Sequence, residues 1–325
     1  MKLPRRRVLQ LAAGAAALPV VSQIARAQTY PTRPVRVLVG LTAGGATDIV
    51  ARIIAEWLSE RLGQQFIVDN RVGAGGMIAA SAVVSASPDG YTLLISGPNH
   101  AIGTTLYTTF PFVFDRDTTP IAGLMQTTNV MVVPPSLPVK SVAEFIDHAK
   151  ANPGKLSYAS SGIGTTVHMS AELFKALTGI NVVHVPYRGS SAAYPDLLTG
   201  KVHVLFDNLP GSIEFIRTGK LRALGVTTAT RSDVLPDLPA VGETVKGYAA
   251  SVWYGVSGPK GMPQTAVETL NKAIAAALAD PKIKARLDEL GAVPMPMSPT
   301  QFGQLVADDT AKWAKVIKDA GIKPE

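Results

Sequence analysis

No cysteine occurs anywhere in the 325 residues. That excludes a disulfide frame, a thiolate zinc site and a cysteine nucleophile. Beyond residue 27 there is no run long and apolar enough to span a bilayer. The five histidines show no metal-ligand spacing such as an i, i+4 pair. No Gly-x-Ser-x-Gly elbow is present, so a Ser-His hydrolase built around His168 lacks its nucleophile. Gly40, Gly44 and Gly45 do not make the Gly-x-Gly-x-x-Gly of a dinucleotide site. Excess charge is missing too, once its location is considered. Five of the 31 Lys and Arg (Lys2, Arg5, Arg6, Arg7 and Arg26) precede residue 28, where there is no acid, leaving 26 against 24. A nucleic-acid partner thereby loses its main support.

What the first 27 residues do contain is an address. Lys2 to Arg7 is basic, Val8 to Ile24 is largely apolar, and Ala25-Arg26-Ala27 is a small-x-small cleavage site. Pro4-Arg5-Arg6-Arg7-Val8-Leu9-Gln10 resembles a twin-arginine export signal with Pro and Val in place of Ser and Phe; an ordinary Sec signal is the alternative. No Cys follows the site, so no lipoprotein anchor forms. The expectation is an exported periplasmic protein cleaved after Ala27.

The rest, residues 28–325, is long enough to bury a sizeable core without staples. Strand-like runs alternate with helical patterns. Val35 to Val39 leads to a helix from about Asp48 to Leu62, with Ile49, Ile53, Ile54, Trp57 and Leu58 on one face. Gln65 to Asp69, a Gly73-Ala74-Gly75-Gly76 turn, a small-residue helix and Tyr91 to Ile95 complete a βαβαβ unit with a parallel sheet. A second series follows: a helix over 142–151, a strand at 156–158, a helix to about Leu177, strands at 182–185 and 202–206, and a strand at 221–226. Helices over 264–278, 280–290 and 299–319 end the chain. Val252 to Val256 crosses back to the first unit and Val130 to Val133 crosses outward. Two such strands make a hinge. Residues 28–131 with 252–325 then form one lobe, and residues 132–251 form the inserted second.

Two strand-to-helix turns share one chemistry. Val39-Gly40-Leu41-Thr42-Ala43-Gly44-Gly45-Ala46-Thr47-Asp48 opens the first helix, and Ser160-Ser161-Gly162-Ile163-Gly164-Thr165-Thr166 opens a helix of the second lobe. Glycine permits close backbone approach, Ser and Thr add short hydroxyls, and a helix start presents free N–H groups. Neither turn carries Lys or Arg. Facing one another, they would hold a small anion by amides and hydroxyls. Asp48 suits a helix cap better than a ligand contact, because its charge repels a carboxylate. Arg188 pairs either with a ligand carboxylate or with Asp207, and Asp207 either receives a ligand hydroxyl or amine or braces the Tyr187 loop. Trp57, Trp253 and Trp313 suit core or hinge packing.

From about Pro34 onward the chain resembles the periplasmic substrate receptors of tripartite tricarboxylate transporters, of the Bug and TctC type. The resemblance rests on motifs in order: Ala43-Gly44-Gly45 with Asp48 and Arg52, Asn70 to Gly76, Pro88-Asp89-Gly90-Tyr91-Thr92-Leu93, Ala151-Asn152-Pro153-Gly154, Ser160-Ser161-Gly162, Val185-Pro186-Tyr187-Arg188-Gly189, Phe206-Asp207-Asn208 and Leu235-Pro236-Asp237-Leu238-Pro239. Leu41-Thr42 stands where many such receptors have Phe-Pro, and Ala79 where Gly is common. The resemblance implies an α/β, two-lobed periplasmic binding protein of type II, a Venus flytrap with two crossover strands at its hinge. It implies ligand contacts from Ala43, Gly44, Gly45 and Thr47 in the first lobe and from Ser160, Ser161, Gly164, Thr165 and Thr166 in the second. Tyr187, Arg188, Gly189 and Ser190 would form a neighbouring wall and Asp207 the far end.

The expected function is capture of a small carboxylate and delivery to an inner-membrane permease of the tripartite tricarboxylate type. No catalytic residue, metal or cofactor is expected, and the protein is expected to act as a monomer. The alternatives are an α/β enzyme acting on a small carboxylate and a receptor that feeds a membrane sensor.

Overall fold

The computed structural model describes residues 30–320; the expected leader and its cleavage site lie outside them. β1 (Val35–Val39) pairs in parallel with β2 (Phe66–Asn70) and β3 (Thr92–Ser96). The helix between the first two, α1 (Ala46–Leu62), buries Val50, Ile54 and Leu58 at a spacing of four, with Ala51 and Ala55 beside them. Its other side, Ile49 and Ile53, packs against Leu209 and Ile213 far along the chain. It ends at Gly63, whose φ of +70° and amide bond to the Ser59 carbonyl close the last turn. Trp57 packs against the same core and donates to the Ala273 carbonyl at 3.2 Å.

One strand ties the molecule together. β4 (Thr118–Val133) is 16 residues long and nearly all buried. Its first part, Thr118 to Thr128, pairs antiparallel with β9 (Ser251–Pro259). At Asn129 it changes partners and pairs with β7 (Val204–Asn208) and β8 (Arg222–Val226). β9 in turn pairs with β3, so the order runs β2-β1-β3-β9-β4-β7-β5-β6, with β5 (Ser157–Ser160) and β6 (Val183–Pro186) parallel at the far edge. At the change of partner, Thr227 donates its amide to the Asn129 carbonyl at 2.9 Å and accepts from the Ala250 amide at 2.8 Å. Both chain crossings therefore meet at one spot.

Helices cover both faces of each half-sheet, which is why its central strands read as continuous apolar runs. Val37, Val39, Leu93, Val256 and Leu270 belong to one core, and Met131, Phe145, Phe174 and Phe206 to another. The C-terminal helix (Pro299–Ala320) returns to the first half, where Asp309 accepts from Trp253 Nε1 at 2.9 Å. None of the helices among the described residues is long and apolar enough to cross a membrane.

Candidate functional site

The first glycine-rich turn is occupied by the protein's own acid. Gly45 caps α1 without a side chain, and Gly44 sits at φ +79°. The Gly44 amide donates to Asp48 Oδ2 at 2.9 Å. Arg52 reaches the same carboxylate through Nε at 2.9 Å and Nη2 at 3.0 Å, and Asn70 Nδ2 reaches Oδ1 at 3.0 Å. Burial opposes ionisation of Asp48, but Arg52, the Gly44 amide and Asn70 outweigh it and hold the carboxyl below its ordinary range. The positive end of this helix already faces an anion. Its neighbours have partners as well. Thr47 bonds the Tyr254 hydroxyl, the Gly45 amide meets the Thr42 carbonyl at 3.4 Å, and the Ala43 carbonyl accepts from Ser191 at 2.7 Å.

The second turn is built alike and finished differently. Ser160 Oγ lies 2.7 Å from His184 Nε2 and accepts from the Gly162 amide at 3.2 Å. Thr165 caps the helix Thr166–Thr178, accepting from the His168 amide at 3.3 Å and donating to the Gly162 carbonyl at 2.6 Å. Thr166 donates to Asn208 Oδ1 at 3.1 Å. The Gly164 amide points at His168 Nδ1, 3.4 Å away. Burial, helped by His184, pushes the His168 pKa down to about 4, so the ring is neutral and able to accept. Ser161 stands apart: it is 2% exposed and its hydroxyl has no hydrogen-bond partner in the protein. A buried, unpaired hydroxyl costs about 1–3 kcal/mol.

Ser161 lines a cavity of about 230 Å³ between the two halves. Leu41, residues 73–75 and Tyr107 form one wall; Ser161, Gly162, Ile163, Pro186, Tyr187 and Arg188 form the other. The walls meet at its edges. Gly75 has φ +60°, and a Cβ there would lie 2.4 Å from the Ile163 carbonyl oxygen, which also accepts from the Tyr107 hydroxyl at 3.0 Å. On the opposite edge the Thr42 amide donates to the Arg188 carbonyl at 3.3 Å.

Of the residues expected from the sequence, Ser161, Tyr187 and Arg188 reach the cavity wall. Ala43, Gly44, Gly45, Thr47 and Gly189 lie in or beside the seam at its edge, and Ser160, Gly164, Thr165 and Thr166 build the turn behind Ser161. Asp207 lies deeper, 1% exposed, and takes hydrogen bonds from the Tyr194 hydroxyl at 2.6 Å and the Asn208 amide at 2.9 Å rather than from Arg188. Burial raises its pKa against the hydrogen bonds of Ser190 and Tyr194. The Tyr187 loop is braced by Asp196, which accepts from the Tyr187 hydroxyl at 2.8 Å. Arg188 is exposed.

Sequence reasoning missed Tyr107. It follows the helix Pro98–Leu106, whose signal was Pro98 at the first helical position after Gly97. Further cavities include about 560 Å³ beside Arg222 and Leu238, about 430 Å³ beside Arg52 and Glu60, and about 270 Å³ beside Thr128 and Ser251. Among the described residues, none of these three is lined by a buried polar side chain lacking a partner.

Two half-sheets joined by crossing strands, with a cavity between their facing turns, define a two-lobed binding protein. The sequence matches the tripartite tricarboxylate transporter family receptor over residues 50–322, and the chain belongs to that family. It is similar to the solved structure of Rpa4515 of R. palustris with adipate: 42% identity, TM-score 0.88, covering 91% of this chain and 100% of that one. The periplasmic binding protein BugD is 33% identical at TM-score 0.88, covering 91% and 100%. MatC from Rhodopseudomonas palustris, with bound malate, is 31% identical at TM-score 0.85, covering 89% and 100%. The fold is thus the α/β fold of periplasmic solute-binding proteins, and the family role is that of a transport receptor.

Proposed function

We propose that this protein captures a small carboxylate in the cavity between its two glycine-rich turns and delivers it, unaltered, to an inner-membrane permease of the tripartite tricarboxylate type. The observation that carries the reading is the buried Ser161 hydroxyl, which lines the cavity and has no partner in the protein. Adipate on Rpa4515 and malate on MatC support a carboxylate as cargo. Ser161 and the neighbouring backbone at the start of the helix Thr166–Thr178 receive the carboxylate. Tyr107, Tyr187 and Arg188 line the route past it. Ala43, Gly44, Gly45 and Thr47 shape the facing edge, Gly189 and Ser190 continue the wall beside Arg188, Ser160, Gly164, Thr165 and Thr166 hold the turn in place, and Asp207 fixes the floor.

The lobes are residues 28–131 with 252–325 and residues 132–251, and they turn about the crossing strands. The protein works as a monomer in the periplasm, exported by the leader and cleaved after Ala27. It carries out no chemistry of its own.

Calorimetric titration of the mature protein, unfolded and refolded to strip carried ligand, against a panel of carboxylates tests this. One saturable 1:1 site near micromolar affinity, about 8 kcal/mol, is expected for a single class of acid. Turnover of the acid, or no heat from any acid with folded protein, would overturn it.

A further inference from the structure

We infer that Thr42 and Ser191 form a latch that holds the two lobes shut, so that Thr42 is a positioning residue for capture rather than a ligand contact. Thr42 sits on the first turn and Ser191 at the start of the helix Ser190–Leu198 in the other lobe. Their hydroxyl oxygens are 2.6 Å apart. Ser191 also lies 2.7 Å from the Ala43 carbonyl oxygen, which can only accept. The single Ser191 proton is therefore spent on Ala43, and Thr42 must be the donor to Ser191. The result is a directed chain, from the Thr42 hydroxyl to Ser191 to the Ala43 carbonyl, in which two first-lobe groups grip one second-lobe side chain.

A second bond reinforces it, from the Thr42 amide to the Arg188 carbonyl at 3.3 Å. Proline at this position has no N–H and could not make it. The fit is close on the far side as well. A Cβ on Gly189 would stand 2.0 Å from the Thr42 hydroxyl oxygen and 2.7 Å from its nitrogen, so only glycine admits Thr42 here. These contacts edge the cavity beside Leu41 and Arg188 without lining it. They can therefore favour closure without touching what is enclosed. A contact made only in the closed state shifts the open–closed equilibrium by its own free energy, and ligand affinity moves with it.

The latch rests on the capture reading for its purpose, yet it can be measured without a ligand. The absence of cysteine lets two spin labels be placed uniquely, at Glu60→Cys and Lys150→Cys, both exposed and on opposite lobes. Electron–electron distance measurements then give the closed and open populations. Ser191→Ala removes both bonds of the chain and should shift the closed-to-open ratio about tenfold towards open; Thr42→Val removes one and should shift it about threefold. Thr42→Ser should restore the wild-type ratio, and adding Thr42→Val to Ser191→Ala should change little further. Dissociation of adipate or malate, used as probes, should accelerate by the same factors, with melting temperatures of the variants near that of wild type.

Equal closed populations in wild type and Ser191→Ala, zero included, would overturn the latch. So would a fall in melting temperature with the populations unchanged, which marks a purely structural bond. Failure of both acids to bind the wild type would count against the proposed cargo, and the distance populations would still decide the latch.

Discussion

The two turns are nearly interchangeable in composition and opposite in condition. Both follow a strand, open a helix and rely on glycine with Ser or Thr. The first, at 40–45, has drawn in Asp48 as its own anion, fixed by the Gly44 amide, Arg52 and Asn70. The second, at 160–166, contains no acid and ends with the Ser161 hydroxyl unpaired. Glycine-rich helix starts attract negative charge in either case. What differs is whether the chain supplies that charge four residues later or leaves it to a ligand. On the proposed reading the first turn is an edge and a latch, and the second is the surface that receives the ligand.

The largest effect should come from forcing the two turns apart. Gly75→Ala places a methyl 2.4 Å from the Ile163 carbonyl oxygen at a φ of +60°. Overpacking of that kind costs about 3 kcal/mol, roughly a hundredfold in affinity. Titration should record that loss, and a Kd within threefold of wild type would mean that the walls need not meet.

Acid should act on the second turn first. His168 is held neutral with a pKa of about 4, against 6.5 in an unfolded chain. The unfolded state therefore takes up the proton first as pH falls. Stability is fully present above about 6.5 and is lost towards 4, by up to about 3 kcal/mol. Asp48, with its pKa lowered, keeps its contribution until pH falls below the ordinary carboxylate range. Urea midpoints at pH 7.5 and 5 should show the difference; burial pushes the His100 pKa down to about 4 as well, so His168→Asn should reduce the difference without abolishing it.

Asp48→Asn separates the turns by kind of damage. Losing a buried charge with three donors should lower folding stability by about 2 kcal/mol while leaving Kd within about threefold. Ser161→Ala should do the reverse, weakening binding about tenfold with the melting temperature of the empty protein unchanged or raised, because an unpaired hydroxyl is gone. Arg188→Gln should do least, about threefold in affinity and only at low salt, since the side chain is exposed.

Much of this architecture was legible in the sequence because apolar runs and glycine turns alternate without conflict. Val35–Val39 and the helix Val142–Ala151 fall where the pattern puts them, and most other elements lie within a residue or two. The helix Pro98–Leu106 was not legible. Pro-Asn-His-Ala-Ile-Gly-Thr-Thr-Leu has weak helical propensity, and what holds it is tertiary: a Cβ on Gly103 would stand 2.3 Å from Met77 Sδ, and His100 stacks on Phe114 at 5.0 Å. Most of β4 was hidden for a similar reason. Pro120, Gly123 and the Thr127-Thr128-Asn129 run carry no strand pattern of their own, yet pairing with β9, β7 and β8 holds them as strand.

In the site, the turns were visible, and Asp48 was readable as a cap from its place in the first turn of the helix. That Ser160 and Thr165 would be satisfied within the turn while Ser161 was not depends on which way adjacent hydroxyls point. Spacing alone does not encode that. Tyr107 reaches the cavity through a helix that pattern did not reveal.

The most direct test is a crystal structure of the refolded protein with the acid selected by titration. A carboxylate oxygen within hydrogen-bonding distance of Ser161 Oγ, with the Asp48 to Gly44 bond intact, is the expected result. A carboxylate seated on the Gly44 amide, with Ser161 turned away, would contradict the assignment of the two turns.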